Sequence, residues 1–416
     1  MIRYLVPVID QGVVAAFNLA LQLSLIRLAA PADYGIFVLW QSVIMMMMAF
    51  QDAMIGMPLS VRIAYHPNNR RRFVLERQVA GFSVAFITGA ALLLFCGALV
   101  AGAGVDHATV TRAVALAAYG ASFLLYSTVR YLALSRAAFG VALTIDSVYA
   151  VLSVAALAVV YFAFAAMPLS AVFVGLSAPA LVTAVVGAAI LRPPMRPRLR
   201  RAFAAYRTIW RDSRWTVAAV AAGEAQNRTF IFVLAALYGP AVMGGVFAGL
   251  VVLRHIVVLS LAWTAFARPM LVSLRDRGAD RAMVLFVVGS AAFLLVLYAV
   301  NLGVLTLVWP LVEEYIYGTK YSDMWPVVAL WTMVLACGVP VSTLAALLVT
   351  LGRFREDSLS AMTGTAVTVV AVTLLAVTVG ARESVAGMAL GSIITALIMA
   401  WRVRVALGER SAAGER

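Results

Sequence analysis

The stretch Asn227-Arg228-Thr229-Phe230-Ile231-Phe232-Val233-Leu234-Ala235-Ala236-Leu237-Tyr238-Gly239-Pro240-Ala241-Val242-Met243-Gly244 has a counterpart near the start of the chain. A shift of 209 residues lays Asn18 on Asn227, Leu25 on Leu234, Leu28 on Leu237, Pro31 on Pro240, Ala32 on Ala241 and Gly35 on Gly244. Leu and Ala matches are cheap in an apolar chain, but the spaced Asn, Pro-Ala and Gly skeleton is not. Six apolar segments separate the copies. Because six is even, both copies run in the same direction, which makes a parallel internal repeat.

Composition sets the solvent. Of 416 residues, 64% are hydrophobic and only 12% charged, and the apolar runs match the roughly 20 residues that carry a helix across about 30 Å of hydrocarbon. The runs predict twelve spans, at 6–29, 35–60, 78–101, 112–129, 141–166, 171–191, 215–238, 243–266, 282–308, 326–350, 358–380 and 385–403. The expected fold is an all-α polytopic membrane protein of two six-helix bundles, 1–191 and 215–416, the second ending in a short cytoplasmic tail. A basic cytoplasmic linker, 192–214, joins them.

The net charge of +14 would suggest nucleic acid in a soluble protein, so its distribution decides. With the N-terminus inside, the inner connections collect Arg62, Arg70, Arg71, Arg72 and Arg77, then Arg130 and Arg136, then eight arginines from Arg192 to Arg214. The same side takes Arg268, Arg275, Arg277 and Arg281, then Arg353 and Arg355, then Arg402, Arg404, Arg410 and Arg416. The outer side holds Arg112, Lys320 and Arg382. The positive-inside rule therefore places both termini in the cytoplasm and removes the need for a nucleic-acid partner.

Neither a P-loop, a GxSxG elbow, a HExxH pair nor a Cys/His cluster occurs. His66, His107 and His255 are scattered, and the longest outer connection, Trp309 to Trp325, is too small for a catalytic domain. No cofactor or metal is expected. Ala30-Pro31-Ala32 imitates a signal-peptidase site, but Asp10, Gln11, Asn18, Gln22 and Arg27 make the preceding stretch too polar for a signal sequence. Cys96 and Cys337, both inside spans, read as buried free thiols.

The joint Arg192-Pro193-Pro194-Met195-Arg196-Pro197-Arg198 cannot continue a helix through its prolines. Beyond it, Phe203, Tyr206, Ile209 and Trp210 recur at helical spacing opposite Arg200, Arg201, Arg207, Arg211 and Arg214. That pattern suits an amphipathic helix on anionic inner-leaflet headgroups; a solvated linker is the equal alternative.

Several segments resemble one family. Asp10-Gln11, Asn18, Arg27 and Pro31-Ala32-Asp33-Tyr34-Gly35-Ile36-Phe37 resemble the start of bacterial polysaccharide biosynthesis proteins, the O-antigen type flippases of the multidrug/oligosaccharidyl-lipid/polysaccharide (MOP) superfamily. So do Leu237-Tyr238-Gly239-Pro240-Ala241-Val242-Met243-Gly244, Phe266-Ala267-Arg268-Pro269 and Tyr317-Gly318-Thr319-Lys320-Tyr321. The resemblance spans the twelve-helix layout, and this chain departs from it in its minimal outer loops and tail. It implies two bundles in a MATE-like V that move an undecaprenyl-linked oligosaccharide between leaflets of the bacterial inner membrane. Other polysaccharide-assembly proteins would be partners.

The site chemistry follows from the residues. Polar groups at mid-membrane are functional candidates by default. At about 1.5 Å of rise per residue, Asn18, Asn227, Arg228 and Arg254 fall near the midplane, where they could share one cavity. Glu224, Asn227 and Arg228 lie on one face about 100° wide, with Gln226 pointing away. Gln11, Asn18 and Gln22 likewise align on the first span. Arginine forks and carboxamides suit phosphate oxygens and sugar hydroxyls. The substrate-binding candidates are Arg228, Arg254, Asn227, Asn18, Gln22 and Arg27, the last also placed to snorkel toward headgroups. Glu224, His255 and Asp52 are candidates for coupling or charge adjustment.

Glu224 and Arg228 are also four apart in the order that favours self-pairing. Asp10 and Asp146 are expected to cap helix N-termini, and Trp309, Tyr315, Tyr317, Tyr321 and Trp325 to form an interfacial belt. Two rivals remain open. A cation-coupled multidrug antiporter would want a net acidic cavity, and a membrane glycosyltransferase or polymerase would draw on Glu313, Glu314 or Asp323.

Overall fold

A computed structural model describes every residue except 1, 58–68, 103–105, 165–166, 193–198 and 415–416. Arg62, His66, the run Pro193 to Arg198 and Arg416 lie outside the described residues. The order is α1 (Ile2–Leu28), α2 (Pro31–Gln51), α3 (Asn69–Ala101), α4 (His107–Ser135), α5 (Phe139–Ala163), α6 (Leu169–Leu191), α7 (Leu199–Val251), α8 (Arg254–Asp276), α9 (Asp280–Val312), α10 (Trp325–Thr350), α11 (Phe354–Thr378) and α12 (Ala386–Gly414). No strand occurs among the described residues. Short π-helical turns, Asp52–Gly56 and Glu313–Tyr317, extend α2 and α9.

Eleven helices among the described residues are long and apolar enough to cross a membrane. The predicted eighth span, 243–266, is interrupted. In place of one helix there, the chain leaves a non-helical Gly239 (φ 80°, ψ 167°), restarts at Pro240, stops at Val251 and begins α8 at Arg254. Gly239 adopts backbone angles that only glycine reaches easily, and Pro240 supplies a helix start without needing an N–H partner. Pro31 plays the same part at the start of α2, after extended Ala30. The two prolines paired by the repeat thus have equivalent local roles.

The basic stretch after the proline joint is helical, but it continues without a break into the seventh span. At the start of α4, Asp106 takes an extended N-cap conformation.

The chain divides into two units, one of Met1–Asp33 and Trp40–Val220, the other of Tyr34–Leu39 and Ala221–Arg416. The core of the first is a chain of rings. Phe17 meets Tyr149 edge-on at 5.3 Å, Tyr149 stacks on Tyr126 at 4.7 Å, and Phe123 and Tyr119 lead on to Phe173. In the second unit, Leu271, Met283, Val287, Leu347, Met399 and Val403 form a buried aliphatic cluster. Phe230 packs edge-on against Trp331 at 4.8 Å, and the Trp331 indole donates to the Val246 carbonyl at 2.8 Å. Outward-facing apolar residues are numerous; Phe162 is 84% and Leu307 83% exposed. In a chain this apolar, such a surface belongs in lipid.

Three expectations are corrected. Cys96 is free but exposed, and Cys337 only half-buried, because their helix faces point away from the packed core. Tyr317 and Tyr321 are buried, at 0% and 7% exposure, instead of forming a belt; Tyr317 packs with Tyr321 and with Trp309, itself against Trp325, and of the five only Tyr315 is exposed. Asp10 and Asp146 do not cap helices. Each lies well inside its helix, where Arg130 takes both.

Candidate functional site

In the second unit the polar residues fall on α7 and α8. Arg228 donates through Nε to Glu224 one turn earlier, and both side chains are about one-fifth exposed. The self-pairing order is therefore realised, and the charges of these two residues cancel locally. Asn227, beside them, is exposed. Thr229 returns its hydroxyl to the Ala225 carbonyl, and Thr365 of α11 donates to the Ala222 carbonyl at 2.9 Å, fixing α7 against α11.

Arg254 differs. It is half-buried, opens α8 directly after the break at Val252–Leu253, and lies within electrostatic range of Arg228 and Tyr34. Among the described residues it has no carboxylate partner. A helix start carries the positive end of the backbone dipole and free N–H groups. Here that end and a half-buried guanidinium coincide. The break that creates this arrangement was not visible in the sequence, because residues 243–266 read as one apolar run.

His255, next to it, faces elsewhere, as a neighbour 100° around the helix must. Its Nε2 is 2.6 Å from Asn301 Nδ2 on α9, an interhelical hydrogen bond. Asn301 escaped the sequence reading, although a lone Asn in a long apolar span is the sign that would have found it.

In the first unit, Asn18 is half-buried and donates to Val14 of its own helix at 2.9 Å. Gln22 is 5% exposed, and Arg27 lies exposed near the end of α1. Asp52 opens the π-helical turn and lies in electrostatic range of Arg130. Gln51, fully buried, donates to the Leu124 carbonyl at 3.2 Å and to the Thr128 hydroxyl at 2.9 Å, holding that turn against α4.

A polar cluster that joins three helices of this unit was missed. Arg130 of α4 donates to Asp10 of α1 at 2.9 Å and to Asp146 of α5 at 2.6 Å, and the Tyr126 hydroxyl donates to Asp146 at 2.6 Å. From sequence, Arg130 was one of many positive-inside arginines. Only packing brings three separate helices onto it.

Other basic residues assigned to the inner side are also tied down. Arg136 clasps Glu76 through two nitrogens and donates to the Leu191 carbonyl at 2.6 Å, closing the end of α6. Arg275 donates to the Thr350 carbonyl at 2.9 Å, and Arg353 pairs with Glu356 and Glu409.

No protein-family model and no curated protein sequence matches the chain. Solved structures do. A multidrug resistance MATE family transporter of the MOP superfamily, in its inward-facing conformation, superposes with a TM-score of 0.73 over 94% of this chain and 95% of that one, at 12% identity. The lipid II flippase MurJ in an inward closed conformation matches with a TM-score of 0.71 over 95% of this chain and 87% of that one, at 11% identity. An outward-facing MATE family transporter follows at 0.65, with 13% identity and coverage of 96% and 93%. The chain is therefore an all-helical protein with many membrane-length helices that shares its fold with MATE family transporters and with the flippase MurJ.

Proposed function

We propose that this protein is a flippase that moves an undecaprenyl-phosphate-linked oligosaccharide from the inner to the outer leaflet of the bacterial cytoplasmic membrane by alternating access. It would serve surface-polysaccharide assembly, with both termini in the cytoplasm. The observation that carries the reading is Arg254. A half-buried guanidinium with no carboxylate partner among the described residues, set at a helix start, calls for an anion. Arg228 is a reserve of positive charge, held by Glu224 until a phosphate competes for it. Asn227 on the same helix, and Asn18, Gln22 and Arg27 on α1, are the proposed contacts for sugar and phosphate oxygens. Anionic inner-leaflet headgroups are the proposed partners of the basic stretch before Trp210.

The test is transport of a fluorescent undecaprenyl-diphosphate oligosaccharide in proteoliposomes reconstituted with the protein. The reading expects protein-dependent movement between leaflets, reduced about ten- to a hundredfold by Arg254→Ala, as fits loss of a charged hydrogen bond. Unchanged transport in that variant would remove Arg254 from the site.

A second reading, a cation-coupled multidrug antiporter, draws on the MATE family match, close in score to the flippase match. A cationic drug would meet an unneutralised Arg254, so the local charge favours the anionic substrate. Drug-susceptibility profiles of cells with and without the protein separate the two.

A further inference from the structure

The break between α7 and α8 falls in Leu250-Val251-Val252-Leu253-Arg254, a run with neither the glycine nor the proline that ordinarily interrupts a helix. Its cause must come from outside the run. An α-helix continued through Val252 would bond that residue's N–H to the Ala248 carbonyl. The same carbonyl accepts the Tyr317 hydroxyl at 3.2 Å. Among the described residues no hydrogen bond joins Val252 N–H to it, and the chain closes a tighter turn in which Leu253 N–H donates to the Leu250 carbonyl at 3.1 Å. Val252 is buried, so its N–H is left at a cost that continuation of the helix would remove.

Tyr317 is itself firmly held. It ends the π-helical turn Glu313–Tyr317, which Gly318 N–H closes on the Glu313 carbonyl at 2.8 Å. A π turn takes one residue more than an α turn and so re-phases the side chain at its end. The Tyr317 ring leans on Trp309 at 5.9 Å and meets Tyr321 edge-on at 6.3 Å. On α10, Trp331 holds the Val246 carbonyl, and a Cβ on Gly249 would come within 2.7 Å of Val327 Cγ1. The last turn of α7 therefore has little room to move.

We propose that Tyr317 is a positioning residue for Arg254: its hydroxyl takes the carbonyl that would extend α7, ends that helix at Val251 and so makes the arginine the start of α8. Were the helix to run on, the positive end of the α8 dipole would be absorbed into a continuous hydrogen-bond ladder and Arg254 would keep only its own charge. The preparation of Arg254 for an anion rests on the flippase reading above; the break does not.

The experiment measures amide hydrogen–deuterium exchange by mass spectrometry on the full chain in lipid nanodiscs without substrate. In the unsubstituted protein, residues 250–255 should exchange faster than 240–249. Tyr317→Phe keeps the ring and removes the hydroxyl, and it should slow exchange at 250–255 several-fold as the freed carbonyl accepts Val252 N–H. Simple loss of a stabilising contact has the opposite sign, since it speeds local opening. Tyr321→Phe, whose hydroxyl has no partner, should leave exchange unchanged. Equal protection of the two stretches in the unsubstituted protein, unchanged or faster exchange in Tyr317→Phe, or the same slowing in Tyr321→Phe overturns the proposal. If Tyr317→Phe does not fold, Tyr317→Leu, which also lacks the hydroxyl, must show the slowing. For the arginine, binding of undecaprenyl diphosphate, read by tryptophan quenching, should weaken about tenfold in Tyr317→Phe. The double variant with Arg254→Ala should bind no worse than Arg254→Ala alone, because the two act as one unit. Additive losses overturn the positioning role, whereas an unsubstituted protein that binds no undecaprenyl diphosphate fails the flippase reading and leaves the exchange result standing.

Discussion

Arg228 closes onto Glu224, one turn before it on α7, while Arg254 at the start of α8 has no such partner among the described residues. The difference sets which arginine meets an anion first. In Glu224→Gln the counter-charge of Arg228 is gone. Binding of a phosphate-bearing lipid, measured by quenching of intrinsic tryptophan fluorescence, should tighten several-fold, whereas Arg254→Ala should weaken it about tenfold or more. Because the Glu224–Arg228 pair is partly exposed, breaking it should cost no more than about 1 kcal/mol of stability.

Arg130 and its two acids order a mutational series. Arg130→Ala strands both carboxylates away from water and should lower stability by about 3 kcal/mol or more. Asp146→Asn and Asp10→Asn should each cost less, because Arg130 keeps one acid partner in either variant. Thermal unfolding in detergent, followed by circular dichroism, gives the ranking. Equal losses in the three variants would contradict this ranking.

Gly239 and Gly35 are both required, for different reasons. Gly239→Ala must place a Cβ on a backbone with φ of 80° and ψ of 167°, a strain of about 1–3 kcal/mol. A Cβ on Gly35 would collide with the backbone carbonyl of Pro240, and since backbone has little room to retreat, Gly35→Val should impair folding more than Gly239→Ala. Detergent-solubilised yield and melting temperature of both variants check the order.

The His255–Asn301 hydrogen bond joins α8 to α9 at an exposed position. Hydrogen bonds between membrane helices contribute about 0.6 kcal/mol on average, so Asn301→Leu should cost little stability. If transport falls much further than stability does, the bond positions Arg254, the neighbour of His255. A parallel measurement of transport and melting temperature makes that comparison.

The fold was legible from the chain because the membrane leaves few options. Backbone groups in hydrocarbon must bond within their own segment, so a run of the right length is a helix, and eleven of the expected spans appear at close to their expected positions. The exception is instructive. Residues 243–266 are apolar enough for a span, yet the chain breaks at Val252–Leu253, where no glycine or proline marks the interruption. Burial sustains that break: Val251, Val252 and Leu253 are enclosed by the second unit.

Sequence by itself determined the membrane setting, the repeat that matches Pro31 with Pro240, and the polar residues worth inspecting, since each depends on composition or on spacing along one helix. Helical phase placed Glu224, Asn227 and Arg228 on one face and offered the Glu224–Arg228 pairing. Tertiary structure alone decided that Arg254 stands at a helix start, that His255 bonds to Asn301, and that Asp10 and Asp146, 136 positions apart, converge on Arg130. The pattern along one helix cannot specify which side chain of another helix it will meet; packing of α1, α4 and α5 against one another does.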